Sequence, residues 1–252
     1  MKKLILSLGD VPGTGRTTVC EAIQSLWQHR GLEHFRCHTA DNQPAGPGVS
    51  RPINWRDQFS LDELVGWLEA APLILLDAAT GETDEVLADL TSGEFLEVLM
   101  EMSCSLTIVT SITSHRQTEA VLLKIAEQLR DDAEYVVVRP GLSEEPPGLG
   151  WQLPSCQRAM HHLDDVEIAL PAWPQALKAV DGTELPHVLR LLAGEARLPR
   201  MVQSWLRSWW LECGENLGAA AHALWPAGAE AALMKSPPGA AGRNAHGKTA
   251  LA

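Results

Sequence analysis

The chain has 252 residues, 45% of them apolar and 21% charged, enough for one good-sized α/β domain with an appendage and too apolar for wholesale disorder. A formal net charge of -12 excludes nucleic-acid binding by the surface as a whole and leaves only a local basic patch for it. The five cysteines (Cys20, Cys37, Cys104, Cys156, Cys213) form no CxxC pair, which argues against a zinc site and fits a reducing compartment.

The N-terminus MKKLILSLGD has a short apolar stretch that Asp10 ends too early for a signal peptide. It reads as a first strand, LILSL (4–8), and no apolar run reaches the ~20 residues of a membrane span. A cytoplasmic protein is expected. Further strands are predicted at 35–39, 73–77, 106–110, 135–138 and 166–170, and helices at about 16–30, 60–70, 84–102, 115–130 and 173–180. Continuous apolar strands alternating with helices predict an α/β fold, a mostly parallel sheet with helices on both faces. Gly and Pro mark 43–52 and 139–150 as loops. The α/β domain is predicted to span residues 1–192, followed by a Trp-rich helical extension at 193–226 and a disordered tail at 227–252.

Between the first strand and the first helix lies GDVPGTGRTT (9–18). A Gly-rich turn entering a helix aims backbone N–H groups at an anion, a following cation neutralises phosphate, and an adjacent hydroxyl ligates Mg²⁺. Gly13 and Gly15 free the turn, Arg16 supplies the cation, and Thr17 and Thr18 supply hydroxyls. A strict GxxxxGK-S/T pattern fails at Asp10, in place of its first glycine, and at Arg16, in place of its lysine. The strand LILLD ends in Asp77, the kind of residue that holds a magnesium shell, with Gly81 four residues on.

In these motifs the chain resembles the ParA/MinD family of deviant Walker A ATPases and its plasmid stabilisation and conjugative-transfer relatives. The family loop K-G-G-x-G-K-S/T-T is matched by Val11-Pro12-Gly13-Thr14-Gly15-Arg16-Thr17-Thr18, its D-x-D by Thr39-Ala40-Asp41, and its D-x-x-x-G by Asp77 and Gly81. The stretch 168–186, with Pro171, is similar to the family segment bordering the adenine. The resemblance implies ATP or ADP with Mg²⁺, bound by residues 11–18, with Arg139 and Pro171 near the base. It implies that Thr17 and Asp77 hold the metal, Asp77 through water, and that Asp41 positions the attacking water while Arg16 acts on the phosphates. Asp41 is equally explicable as an ordinary loop aspartate. It further implies a nucleotide-dependent homodimer and a protein partner in a partition or transfer system. Val11 stands where the family has its cross-dimer lysine and Arg16 where it has the P-loop lysine. Hydrolysis is therefore expected to be slow, the alternative being an inactive adaptor or scaffold of the same fold.

His161-His162, Asp131-Asp132 and Glu144-Glu145 read as surface groups, and Ser114 as a helix cap. The segment RLPRMVQSWLRSWW (197–210) places Leu198, Met201, Val202, Trp205 and Trp209 at helical spacing beside Arg197, Arg200 and Arg207. Docking on its own domain, with Trp205 and Trp209 buried, is the favoured expectation. The other is a local surface for DNA or a membrane.

Overall fold

The computed structural model describes residues 2–32, 34–38, 50–52, 55, 60–141, 151–172 and 199–226. Among them the strands are β1 (Lys2–Ser7), β2 (His34–His38), β3 (Ser50–Pro52), β4 (Leu73–Asp77), β5 (Cys104–Ser111), β6 (Glu134–Pro140) and β7 (Val166–Leu170). The helices are α1 (Arg16–His29), α2 (Leu61–Ala70), α3 (Thr83–Leu90), α4 (Glu94–Glu101), α5 (Arg116–Leu129), α6 (Pro154–His162), α7 (Arg200–Ala219) and α8 (Ala221–Leu224). All strand pairs are parallel, in the order β3-β2-β4-β1-β5-β6-β7.

The sheet is buried on both faces, which is why its central strands are apolar at consecutive positions rather than alternate ones. On one face Leu4, Leu6, Ile74, Leu76, Leu106 and Ile108 pack with side chains of α2 to α6. On the other, Ile5, Leu73, Leu75, Val109 and Val136 pack with α1, α7 and α8. Lys3 faces the second layer and is 1% exposed, yet its Nζ lies 2.7 Å from Glu134 Oε2, so the buried ammonium has its counter-charge.

The chain leaves β1 for β2 on one side of it, and later passes from β4 across β1 to β5 on the other. Strand order therefore reverses at β1, and the crevice at the carboxyl ends of β1 and its neighbours is where such sheets bind ligands.

Several expectations change. The helix predicted at 84–102 is two helices, α3 and α4. The Thr91 hydroxyl donates to the Leu87 carbonyl, that of Ser92 to Asp89, and Gly93 adopts φ 33°, so the chain turns there. Residues 50–52, read as loop, pair with β2 as an edge strand, and Arg139 and Pro140 belong to β6. Helix α6 escaped prediction; Pro154 occupies its first turn, and only Cys156 and Met160 reach the core. The helix expected at 173–180 and the tail at 227–252 lie outside the described residues.

Helix α7 docks on its own domain. Leu206, Trp209, Trp210, Cys213 and Leu217 form its buried stripe, packing into the core layer of α1. Trp209 Nε1 donates to the Pro171 carbonyl at 2.9 Å and Asn216 Nδ2 to that of Ala169 at 2.6 Å. The Thr107 hydroxyl donates to the Ala223 carbonyl of α8 at 2.8 Å, and Trp225 is buried behind it. Trp205, expected to be buried with Trp209, is 47% exposed. Each residue turns a helix by about 100°, so Trp205 lies about 100° from Leu206, beyond Trp209 at the border of the stripe.

Replacing Trp209 or Trp210 by Ala is expected to lower stability by about 3–5 kcal/mol as a core cavity, and Trp205→Ala by less than about 1 kcal/mol. Chemical denaturation of the three variants checks this.

Candidate functional site

The site begins where β1 stops. Parallel register sets Ser7 beside Asp77 of β4 and beside Val109 of β5, and the Leu8 N–H still donates to Val109. Beyond it the chain must turn sharply to enter α1. Gly13 and Gly15 take φ values of 74° and 75°, left-handed backbone that a side chain disfavours. Gly15 is the N-cap of α1, no side chain caps that helix, and its first turn holds no acidic residue. Its first N–H groups and the positive end of its dipole thus face a cleft of about 250 Å³. Gly13, Thr14, Gly15, Arg16, Thr17 and Thr18 line that cleft, with Val11 at one side and Thr80 opposite.

Leu73 and Leu75 share a core layer with α1 while Ile74 and Leu76 face the other way. Alternation therefore puts Asp77 on the α1 side of the sheet. There it is 3% exposed, and Arg16 Nε lies 3.6 Å from its Oδ1. The same guanidinium donates through one terminal nitrogen to the Gly9 carbonyl and through the other to the Thr80 hydroxyl at 3.4 Å. A planar fork reaches three partners in three directions, which one ammonium cannot do.

A second tie joins the same two turns. The Asp10 carboxylate accepts the Gly81 N–H at 3.2 Å and the Thr83 N–H at 3.4 Å, the latter in the first turn of α3. Glu82 Oε2 accepts the Ala79 N–H at 3.2 Å, closing the turn after β4 upon itself. Asp10, the residue that breaks the Gly-rich pattern, thus locks one loop to the other.

The residues singled out in the sequence fall into three groups. Val11 and Gly13 to Thr18 line one cleft, which Pro12 does not, and Asp77 is joined to it through Arg16. Arg139 and Pro171 do not line it. Arg139 is the penultimate residue of β6, two strands from β1, where its Nε lies 3.5 Å from Glu167 Oε2 and its guanidinium 5.1 Å from the ring centroid of Trp151. Trp151 Nε1 in turn donates to Glu167 at 2.8 Å. Pro171 follows β7, and its carbonyl receives Trp209. Asp41 lies outside the described residues. Sequence reading missed Asp10, Thr80 and the Gly9 carbonyl as structural partners, since each acts through a loop some seventy residues distant or through backbone.

Two groups elsewhere are shifted by burial. Asp165 is pushed up to about 6, first by burial and then by the Glu167 charge, and burial raises the Cys156 thiol to about 12. Neither touches the cleft. Among the described residues no three His, Cys, Asp or Glu side chains gather as a metal cluster, and no helix is long and apolar enough to cross a membrane.

No protein-family model matches the chain, and no curated protein does. Among solved structures it is similar to the MinC:MinD cell division protein complex of Aquifex aeolicus, at 14% identity and a TM-score of 0.44 over 79% of this chain and 99% of that one. It is also similar to the MinD cell division protein of Aquifex aeolicus, at 14% identity and a TM-score of 0.43 with the same coverage. Likeness at that level carries no argument about the site, which stands on its own geometry.

Asp10→Ala is expected to lower stability by about 1–2 kcal/mol, because two backbone N–H groups lose their acceptor, while Asp10→Asn, which keeps one oxygen, costs less. Thermal melts of the two variants measure the difference.

Proposed function

We propose that this chain is a nucleotide-binding protein of ParA/MinD type that holds ATP or ADP at residues 11–18 and hydrolyses it slowly or not at all. One observation carries the reading: the Gly13–Gly15 turn presents the uncapped N-terminus of α1 to a cleft at the carboxyl end of the strand where sheet order reverses. Backbone N–H groups, a helix dipole and a cation converge there, and phosphate is the ligand that uses all three. In this reading Thr17 and Thr18 offer hydroxyls to the phosphates, Arg16 supplies charge, and Asp41 orients water. Arg139 and Pro171 would meet the base only if the nucleotide reaches from the cleft toward the ends of β6 and β7.

The role that fits best is plasmid or chromosome partition, positioning or DNA transfer, through a nucleotide-dependent homodimer and a protein partner in the cytoplasm. Any DNA or membrane contact falls to the exposed side of α7, where Arg200, Met201, Trp205 and Arg207 are accessible. The second reading, an inactive adaptor of the same fold, is favoured by one observation: Arg16 is engaged with Gly9, Thr80 and Asp77. A cation so held is poorly placed to follow charge moving onto a leaving phosphate.

The fit for magnesium is divided. Thr17 lines the cleft as a hydroxyl ligand would, but the Asp77 carboxylate is already paired with a guanidinium.

Calorimetry of the purified protein with ADP and ATP is expected to show binding that Gly13→Val abolishes. Turnover should stay below about 1 s⁻¹, the low end of ordinary enzymes. Absence of any adenine nucleotide binding contradicts the reading; binding with no turnover selects the adaptor.

A further inference from the structure

We propose that the loop takes its nucleotide without a divalent cation, because the Arg16 guanidinium, paired with Asp77, fills the electrostatic place of the metal. This inference rests on the nucleotide reading above and concerns how that same site neutralises phosphate.

A metal held at the end of β4 needs a carboxylate whose charge is available to it or to its water shell. Asp77 is 3% exposed, and the Arg16 guanidinium lies 3.6 Å from it and is itself only 11% exposed. Around so enclosed a pair the effective dielectric is low, so the carboxylate already interacts strongly with a positive group before any ligand arrives. A divalent cation entering beside Asp77 meets a positive group at short range and a carboxylate already paired with it.

The neighbouring carboxylates offer no substitute. Asp10 is committed to the N–H groups of Gly81 and Thr83, and Glu82 to that of Ala79. Each holds the turn after β4 in shape, and withdrawing either would unmake the wall of the cleft.

Arg16 meanwhile does two things at once. Its terminal nitrogens donate to Gly9 and Thr80 and its Nε lies 3.6 Å from Asp77 as an ion pair without a hydrogen bond, yet the residue lines the cleft beside Thr17 and Thr18. The terminal nitrogens of a guanidinium carry a second proton each, in the same plane. Phosphate oxygens that reach the α1 N-terminus find a fixed positive charge at its first residue, supplied by the chain rather than by an ion. The pairing with Asp77 also opposes binding, since the carboxylate and the phosphate compete for one cation.

That competition gives the proposal an opposite sign from a metal site. If Asp77 holds a metal, removing its charge weakens nucleotide binding. If Asp77 holds Arg16, removing its charge releases the guanidinium and strengthens binding.

The experiment is calorimetric titration of ADP into the full-length protein, in EDTA and then in Mg²⁺, for wild type and Asp77→Asn, with a thermal melt to verify that the variant folds. The expected wild-type dissociation constants agree within about threefold between the two conditions, and Asp77→Asn binds about tenfold more tightly in EDTA. Wild-type binding about tenfold or more tighter in Mg²⁺ than in EDTA, or weaker binding by a folded Asp77→Asn, overturns the proposal while leaving the nucleotide reading intact. Binding in neither condition overturns the nucleotide reading itself. Should the variant fail to fold, the wild-type comparison alone decides.

Discussion

Everything at the candidate site depends on the side-by-side placing of Ser7 and Asp77, the last residues of β1 and β4. Two parallel strands that end at one level launch two turns from one level, and the turns must then be held apart or held together. Here they are held together. Arg16 reaches from the first turn to Asp77 and Thr80 on the second, and Asp10 reaches from the first to Gly81 and Thr83. One tie is cationic and one anionic, so the pair of loops is cross-braced. The Gly9 carbonyl, bound by Arg16, keeps the guanidinium against the root of its own loop. A site built this way is preorganised before any ligand arrives, which favours binding and restrains the motion of its cation.

The parts that were legible in the sequence are those whose signal is local. LILSL and LILLD announce buried parallel strands because both faces are covered, and Gly13 and Gly15 announce a turn because only glycine accepts their backbone without strain. Asp77 was found because it ends an apolar strand. What escaped depends on partners far along the chain. Helix α6 has only Cys156 and Met160 to show for a core face. The acceptor near its N-terminus is the buried Glu119 of α5, which takes the N–H groups of Gln152 and Leu153. No spacing rule connects residues that far apart. Arg16 stands in the turn as the sequence shows, but that it lies beside Asp77 follows from the register of β1 and β4, which the sequence does not print.

The C-terminal helices show the same division. A Trp-rich amphipathic stretch could equally pack or present itself, and the outcome is set by three hydrogen bonds from and to the sheet, at Pro171, Ala169 and Ala223. Two of these satisfy carbonyls of the edge strand β7 and just beyond it, and in the third the sheet's Thr107 satisfies the Ala223 carbonyl of α8, so α7 and α8 complete the layer that α1 begins. Burial of Trp209, Trp210 and Trp225 follows from that docking, whereas Trp205 lies off the stripe and remains at the surface with Met201. The docked layer also covers Lys3, whose ammonium tolerates burial because Glu134 meets it.

The central claim is that Arg16 and Asp77 act as one unit. A double-mutant cycle on Arg16→Met and Asp77→Asn, read by chemical denaturation without nucleotide, tests it most directly. An enclosed ion pair whose guanidinium is also held by Gly9 and Thr80 predicts a coupling energy of about 1–3 kcal/mol, with the double variant more stable than the sum of the single losses implies. Losses that add within about 0.5 kcal/mol would contradict the account, since they would mean that the two residues do not hold each other.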